Sequence, residues 1–124
     1  IIKNNFFIKK EKNIVEINSF EVQHGFIKST AYVINKVAYL SDCSYIPKKS
    51  MKFLTNLNYL IIDCLRYKFH PGHFNFEGAI SLSKQLNPRK TILTNLHVDL
   101  DYNKLKKKLP SKIIPAFDGI NFNF

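Results

Sequence analysis

The sequence predicts an α+β domain: one mixed β-sheet with helices on one outer face. Three observations predict it. The first third alternates apolar and polar residues at period two, as half-buried strands do. Tyr59-Leu60-Ile61-Ile62 is instead a continuous apolar run, the mark of a strand covered on both faces. Beyond it, segments with helical spacing alternate with short strand-like runs, an order that places helices against a sheet.

Taken in order, Asn5–Ile8 and Ile14–Ile17 flank the charged stretch Lys9–Asn13 and read as a hairpin. Phe20–Gln23 is a strand that stops at His24-Gly25. Ser29–Ile34 and Val37–Leu40 form a second hairpin around Asn35-Lys36. Pro47 can open a short helix carrying Met51, Leu54 and Leu57. Asn75 is placed as an N-cap, and Phe76, Ala79, Ile80, Leu82 and Leu86 mark a helix ending near Asn87-Pro88. Thr91–Thr94 is a strand. Asp101 can cap a helix carrying Leu105 and Leu109, stopped by Pro110. Ile113-Ile114 and Ile120–Phe124 close the chain as short strands. A sheet covered on one face leaves the other bare, so that face is expected to need a partner.

The 124 residues suffice for one domain, and a 45% hydrophobic share is ordinary for a packed core. The chain begins with Ile1, which points to a processed chain, a fragment or a gene piece. Residues 1–8 do not make a signal peptide, and no apolar run approaches the roughly 20 residues that span a bilayer. Cys43 and Cys64 lie far apart without a CxxC pair, so reduced thiols in the cytoplasm are expected.

A net charge of +10 raises nucleic-acid binding. Only Arg66 and Arg89 of the 19 basic residues are arginine, however, and Asn and Ile are also abundant. That bias is the imprint of an AT-rich genome and would charge any protein from such a source. The basic residues are also spread along the chain instead of gathered with stacking aromatics. Nucleic acid is therefore a secondary expectation.

Four landmarks place His or Asp just past a short apolar run: His24-Gly25, Ser41-Asp42-Cys43, the His70–His73 loop, and Leu93–His97. A strand end fixes the backbone while the following loop lets a ligand face inward, which suits a metal centre. A neutral imidazole at His24 is a good ligand for zinc or manganese, though a polar turn residue would look the same. Asp42 can supply a carboxylate oxygen to each of two ions, or simply form an Asx-turn. His73 falls near the start of a helix, where the dipole favours an anion; it can donate to a phosphate or protonate a leaving group. His97, beside Asp99 and Asp101, is a ligand, a ligand's neighbour or a loop histidine. There is no Gly-rich phosphate loop, no GxSxG and no carboxylate pair of glycosidase type. Cys64 with His70 is a weak nucleophile–base pair, because Cys64 emerges from a buried strand.

Together and in order, these segments resemble the C-terminal half of the metallo-β-lactamase superfamily, closest to the phosphoribosyl cyclic phosphate phosphodiesterase-like branch. The matching text is Val22–Gly25, Ala38–Cys43 with Ile46-Pro47, Leu60–Asp63, the His70–His73 loop with its Asn75 helix, Thr91–Asp101, and Leu109-Pro110 with Pro115–Gly119. It covers about residues 14–124. The resemblance implies half of an αββα sandwich, with 1–124 a single C-terminal half-domain, and a centre of two divalent ions, zinc or manganese, in the complete protein. It implies His24 and Asp42 as metal ligands, Asp42 bridging, and His73 as the residue that handles the substrate phosphate or leaving group. Asn95 stands where many relatives place a last ligand histidine, and His97 is the substitute two residues on. The family's HxHxDH motif does not occur here. The expectation is a phosphodiester hydrolase present as a fragment, inactive alone and binding metal poorly or not at all, its partner the missing half or a second copy. A non-catalytic binding module on the same fold is the alternative.

Overall fold

The computed structural model describes residues 5–123. Seven strands form a single sheet in the order of the chain, β1 to β7. They are β1 (Asn5–Lys10), β2 (Asn13–His24), β3 (Ile27–Ile34), β4 (Val37–Leu40), β5 (Tyr59–Asp63), β6 (Lys90–Thr94) and β7 (Ile113–Pro115). Pairing is antiparallel from β1 to β4 and parallel from β4 to β7. Both hairpins expected from the sequence form. The β3–β4 turn is tight because Asn35 and Lys36 both adopt positive φ, 47° and 65°, the pattern whose twist matches the flanking strands. The two runs expected as separate strands at 14–17 and 20–23 are one 12-residue strand, since Asn18 and Ser19 pair through with Val33 and Tyr32.

Helices cover one face only. The register aligns Val33, Ala38, Leu60, Thr91 and Ile113 across five strands, with Leu40, Ile62, Leu93 and Pro115 in the next row. Against these rows lie α1 (Phe76–Leu86), α2 (Tyr102–Lys108) and a 3-10 helix (Lys48–Phe53). Phe53 stacks on Phe20 at 5.1 Å, and the Ser83 and Thr91 hydroxyls hydrogen-bond at 2.7 Å between α1 and the sheet. The caps fall where expected: Asn75 Oδ1 accepts from Gly78 N–H at 3.0 Å, and Asp101 Oδ1 from Lys104 N–H at 2.8 Å. The segment after Pro47 is a single 3-10 stretch, Lys48–Phe53, and no side chain caps its first turn.

The opposite face carries another row in register, Tyr32, Tyr39, Ile61, Ile92 and Ile114. No helix lies on it, and Tyr39 is 44% exposed. The closing strand expected at Ile120–Phe124 is absent from 120–123, and Phe124 lies outside the described residues. The last strand, β7, ends on Pro115, which has no N–H to donate to a further strand. Instead the chain turns at Asp118-Gly119, and Phe122 stacks on Tyr59 at 4.5 Å. No helix among the described residues is long and apolar enough to cross a membrane.

Candidate metal centre

The strand ends on one rim bring His24, Asp42 and His73 together. One donor atom from each lies within 4.8 Å of the others, and no other such group of three occurs among the described residues. His24 ends β2. Gly25 follows at φ 61°, a left-handed turn that glycine adopts without strain. Asp42 lies two residues past β4, also at positive φ (47°), a conformation uncommon outside glycine, and Ser29 Oγ donates to its carbonyl at 2.7 Å. His73 comes from the loop between β5 and α1.

Main-chain hydrogen bonds knit these loops. Phe74 N–H donates to Cys43 O at 2.7 Å, Leu65 N–H to Phe74 O at 2.9 Å, and His97 N–H to Leu65 O at 2.9 Å. The helix start expected to attract an anion is already used: Phe76 N–H donates to Arg66 O at 2.9 Å and Gly78 N–H to the Asn75 side chain. The α1 N-terminus therefore holds the loop in place.

The ring nitrogens are oriented by their partners. His24 Nδ1 lies 2.6 Å from Gly72 O, a pure acceptor, so Nδ1 carries the proton and Nε2 is left free to bind a cation. The ring sits so close to Gly72 that an added Cβ there would stand 3.0 Å from His24 Cε1. His73 Nδ1 lies 2.5 Å from Asp63 Oδ2. Asp63 is fully buried at the end of β5 and also accepts from Cys43 N–H (3.1 Å) and Asn95 Nδ2 (3.1 Å). The His24 and His73 rings meet edge to face at 4.7 Å. His70 packs on His73 at 5.0 Å, and its Nδ1 accepts from Gly72 N–H at 3.1 Å, so Nε2 carries its proton. Loss of hydration, then the nearby His73 and the Arg66 guanidinium, hold the His70 pKa below the usual imidazole value.

Two imidazoles and a carboxylate gathered in this way are donor types that suit a divalent cation of borderline softness. His97 is not in this cluster. Its exposed ring turns to Asp99 Oδ1 at 2.9 Å, on the loop after β6. Asn95, at φ 58°, directs its amide to Asp63. Asp63 was given no role in the sequence reading. The available signal was the one used for Asp42, a carboxylate ending an apolar strand. Both thiols are buried, and loss of hydration pushes the pKa of Cys43 and of Cys64 up to about 12. A nucleophilic role for Cys64 has no support in that environment.

Residues 4–95 match the family described as the beta-lactamase superfamily domain. Among solved structures, the chain is similar to a diphosphatase from the PhnP family, with 30% identity and a TM-score of 0.90, over 99% of this chain and 47% of that one. It is also similar to the metallo-beta-lactamase fold protein YhfI from Bacillus subtilis (20%, TM-score 0.74, 96% and 53%). A third is human tRNase Z, short form (15%, TM-score 0.68, 94% and 44%). The chain thus spans about half the length of these three proteins. No curated protein matches it.

Proposed function

The chain belongs to the β-lactamase superfamily, in a PhnP-like branch with the metallo-β-lactamase fold, and from that premise we propose that it carries one side of a divalent-metal centre for phosphodiester hydrolysis. The observation that carries the proposal is the convergence of His24, Asp42 and His73 within 4.8 Å on the strand-end rim. Zinc or manganese bound there would polarise a phosphoryl oxygen.

The chain's own residues have separable tasks. His24, pinned through Nδ1, presents Nε2 to the ion, and Asp42 supplies charge-neutralising oxygen. His73 stands at the substrate side, where the buried Asp63 carboxylate holds its Nδ1 and aims its other nitrogen toward a leaving group. A histidine held in this way donates a proton to the departing oxygen and takes up another afterwards. Two firm ligands are fewer than the three a catalytic ion keeps. The rest come from His97, if its loop swings in from Asp99, and from a segment beyond this chain carrying HxHxDH. The Tyr39 end of the row Tyr32–Tyr39–Ile61–Ile92–Ile114, where Tyr39 is 44% exposed, is the surface such a half, or a second copy, would cover. On this reading the 124-residue chain alone is inactive. Buried free thiols support a reducing, cytoplasmic setting.

Manganese or zinc titration of the chain, with and without the complementary half, tests the reading, followed by hydrolysis of a generic phosphodiester. Stoichiometric metal lost in His24→Ala and Asp42→Ala, and turnover only in the complemented protein, are expected. Normal metal binding with no turnover after complementation would sink the hydrolase assignment. The second reading, a non-catalytic module, is favoured by Asn95, whose amide is committed to Asp63. It predicts no stoichiometric metal even after complementation.

A further inference from the structure

Cations that lie far apart in the sequence meet at the end of the sheet opposite the metal rim, where the strands begin. Main-chain hydrogen bonds set the strand entries side by side: Asn58 N–H donates to Lys36 O at 2.8 Å, Lys90 N–H to Asn58 O at 3.0 Å, and Thr91 N–H to Lys112 O at 2.8 Å. Arg89, just before β6, donates its own N–H to Leu57 O at 3.3 Å. Lys36, Arg89, Lys90 and Lys112 are all exposed. Residues 34–37, 55–59, 87–91 and 109–113, which build this end, contain no aspartate or glutamate. None of these cations meets a carboxylate among the described residues. Asp42, Asp63 and Asp99 instead stand at or past strand ends on the metal rim.

A cleft of about 400 Å³ opens at this end, lined by Asn58, Tyr59, Arg89, Lys90 and Asn123. That volume lies in the range of small-ligand sites. Tyr59 gives the cleft an aromatic wall. Phe122 stacks on Tyr59 at 4.5 Å, and Tyr59 Oη donates to Asn123 O at 3.3 Å, so segment 120–123 is fastened to β5 beside the cleft. Arg89 is one of only two arginines among the 19 basic residues, so the lysine excess of the composition does not account for it. Its planar fork matches two oxygens of a phosphate, and Lys90 adds a second charge. Asn58 and Asn123 bring amide groups, which pair with base edges. An aromatic wall, amides and two cations together are the chemistry that holds a base joined to a phosphate.

We propose that this cleft binds a nucleotide, free or as one unit of a single strand, with its base against Tyr59 and its phosphate on Arg89 and Lys90. The site lies where strands β5 and β6 begin, whereas the metal centre lies where strands end. It therefore goes beyond the hydrolase reading and does not depend on it.

The probes are AMP, adenosine, inorganic phosphate and a short oligoadenylate, titrated calorimetrically at low salt and without metal into the 124-residue chain and into the complemented protein. AMP is expected to bind both proteins, with adenosine and phosphate each weaker by about tenfold or more, because each keeps only part of the contacts. The double variant Arg89→Gln/Lys90→Gln should weaken AMP by about tenfold or more, and Tyr59→Leu should weaken AMP and adenosine alike. His24→Ala should bind AMP as the parent does, and so should Lys68→Gln/Lys104→Gln, which removes the same charge from exposed positions outside the cleft. An equal loss in Lys68→Gln/Lys104→Gln would reduce the effect to attraction by net charge and overturn the cleft. Absence of AMP binding, phosphate binding as tight as that of AMP, or loss of AMP binding on complementation would overturn it as well. Should Tyr59→Leu fail to fold, the exposed Arg89→Gln/Lys90→Gln pair decides. Oligoadenylate binding tighter than AMP by more than its number of units assigns a strand as the ligand, and anything less assigns the free nucleotide. Failure of the hydrolase reading would leave these outcomes standing, since no metal is present in the titrations.

Discussion

Replacing Asp63 by Asn tests whether the centre is organised from beneath by a buried carboxylate. Asp63 is fully buried and accepts from three donors: His73 Nδ1 at 2.5 Å, Cys43 N–H at 3.1 Å and Asn95 Nδ2 at 3.1 Å. Asparagine has nearly the same shape, so no cavity opens. One oxygen becomes an NH2 group, and whichever way the amide turns, that group faces a donor. A charge-assisted hydrogen bond is worth about 1.5–3 kcal/mol, and a buried donor left unpaired costs about 1–3 kcal/mol. Relief from burying a charge offsets part of this. The net expectation is a loss of about 2–4 kcal/mol, a large share of the roughly 6–15 kcal/mol that a domain of this length possesses. The assay is urea unfolding of the chain followed by circular dichroism, paired with phosphodiester hydrolysis by the complemented protein. Turnover should fall about 10–100-fold, as it does when a partner that orients a site histidine is removed. Asp99→Asn is the control, because the exposed Asp99–His97 pair should contribute under about 1 kcal/mol. If Asp63→Asn unfolds within about 0.5 kcal/mol of the parent and turns over equally fast, the buried carboxylate does not organise the site.

Two further outcomes follow. In the complemented protein, His73→Ala should keep Mn bound but slow hydrolysis most for esters with poorly acidic leaving groups, and about 10²-fold less for nitrophenyl esters; an equal loss on both would deny His73 the proton-donating role. The thiols give a pH signature. Burial raises the pKa of Cys43 and of Cys64 from the usual 9.0 to about 12, so the folded chain holds two protons that the unfolded chain releases. The stability they support is therefore complete below about pH 9 and declines as pH rises toward 12. Urea midpoints between pH 8 and 10.5 should drop more steeply in the parent than in a Cys43→Ala/Cys64→Ala variant, and parallel slopes would contradict thiol burial.

Much of the architecture follows from local chemistry. Asn75 and Asp101 cap because an Asn or Asp oxygen before a helical run has free N–H groups within reach, and that relation spans only three residues. Asn35-Lys36 turns because both residues accept positive φ. His24 and Asp42 were recognisable as site candidates since each follows an apolar strand, and their donor atoms do meet. The merging of two runs into β2 was not recognisable. Asn18 and Ser19 look like a break, yet a continuous partner, β3, supplies their hydrogen bonds across the sheet.

What local pattern could not decide is which side chains answer one another across long stretches of chain. Asp63 meets His73 ten residues on and Asn95 thirty-two residues on, a grouping that exists only because parallel β4, β5 and β6 end on a common rim. The same assembly leaves Arg66 Nε without a partner and turns the His97 ring toward Asp99. Spacing along a chain prescribes periodicity, caps and turns, because those interactions close within a few residues. Direction and burial of a side chain depend on the register of strands far apart in sequence, and so only the packed molecule settles which carboxylate holds which imidazole.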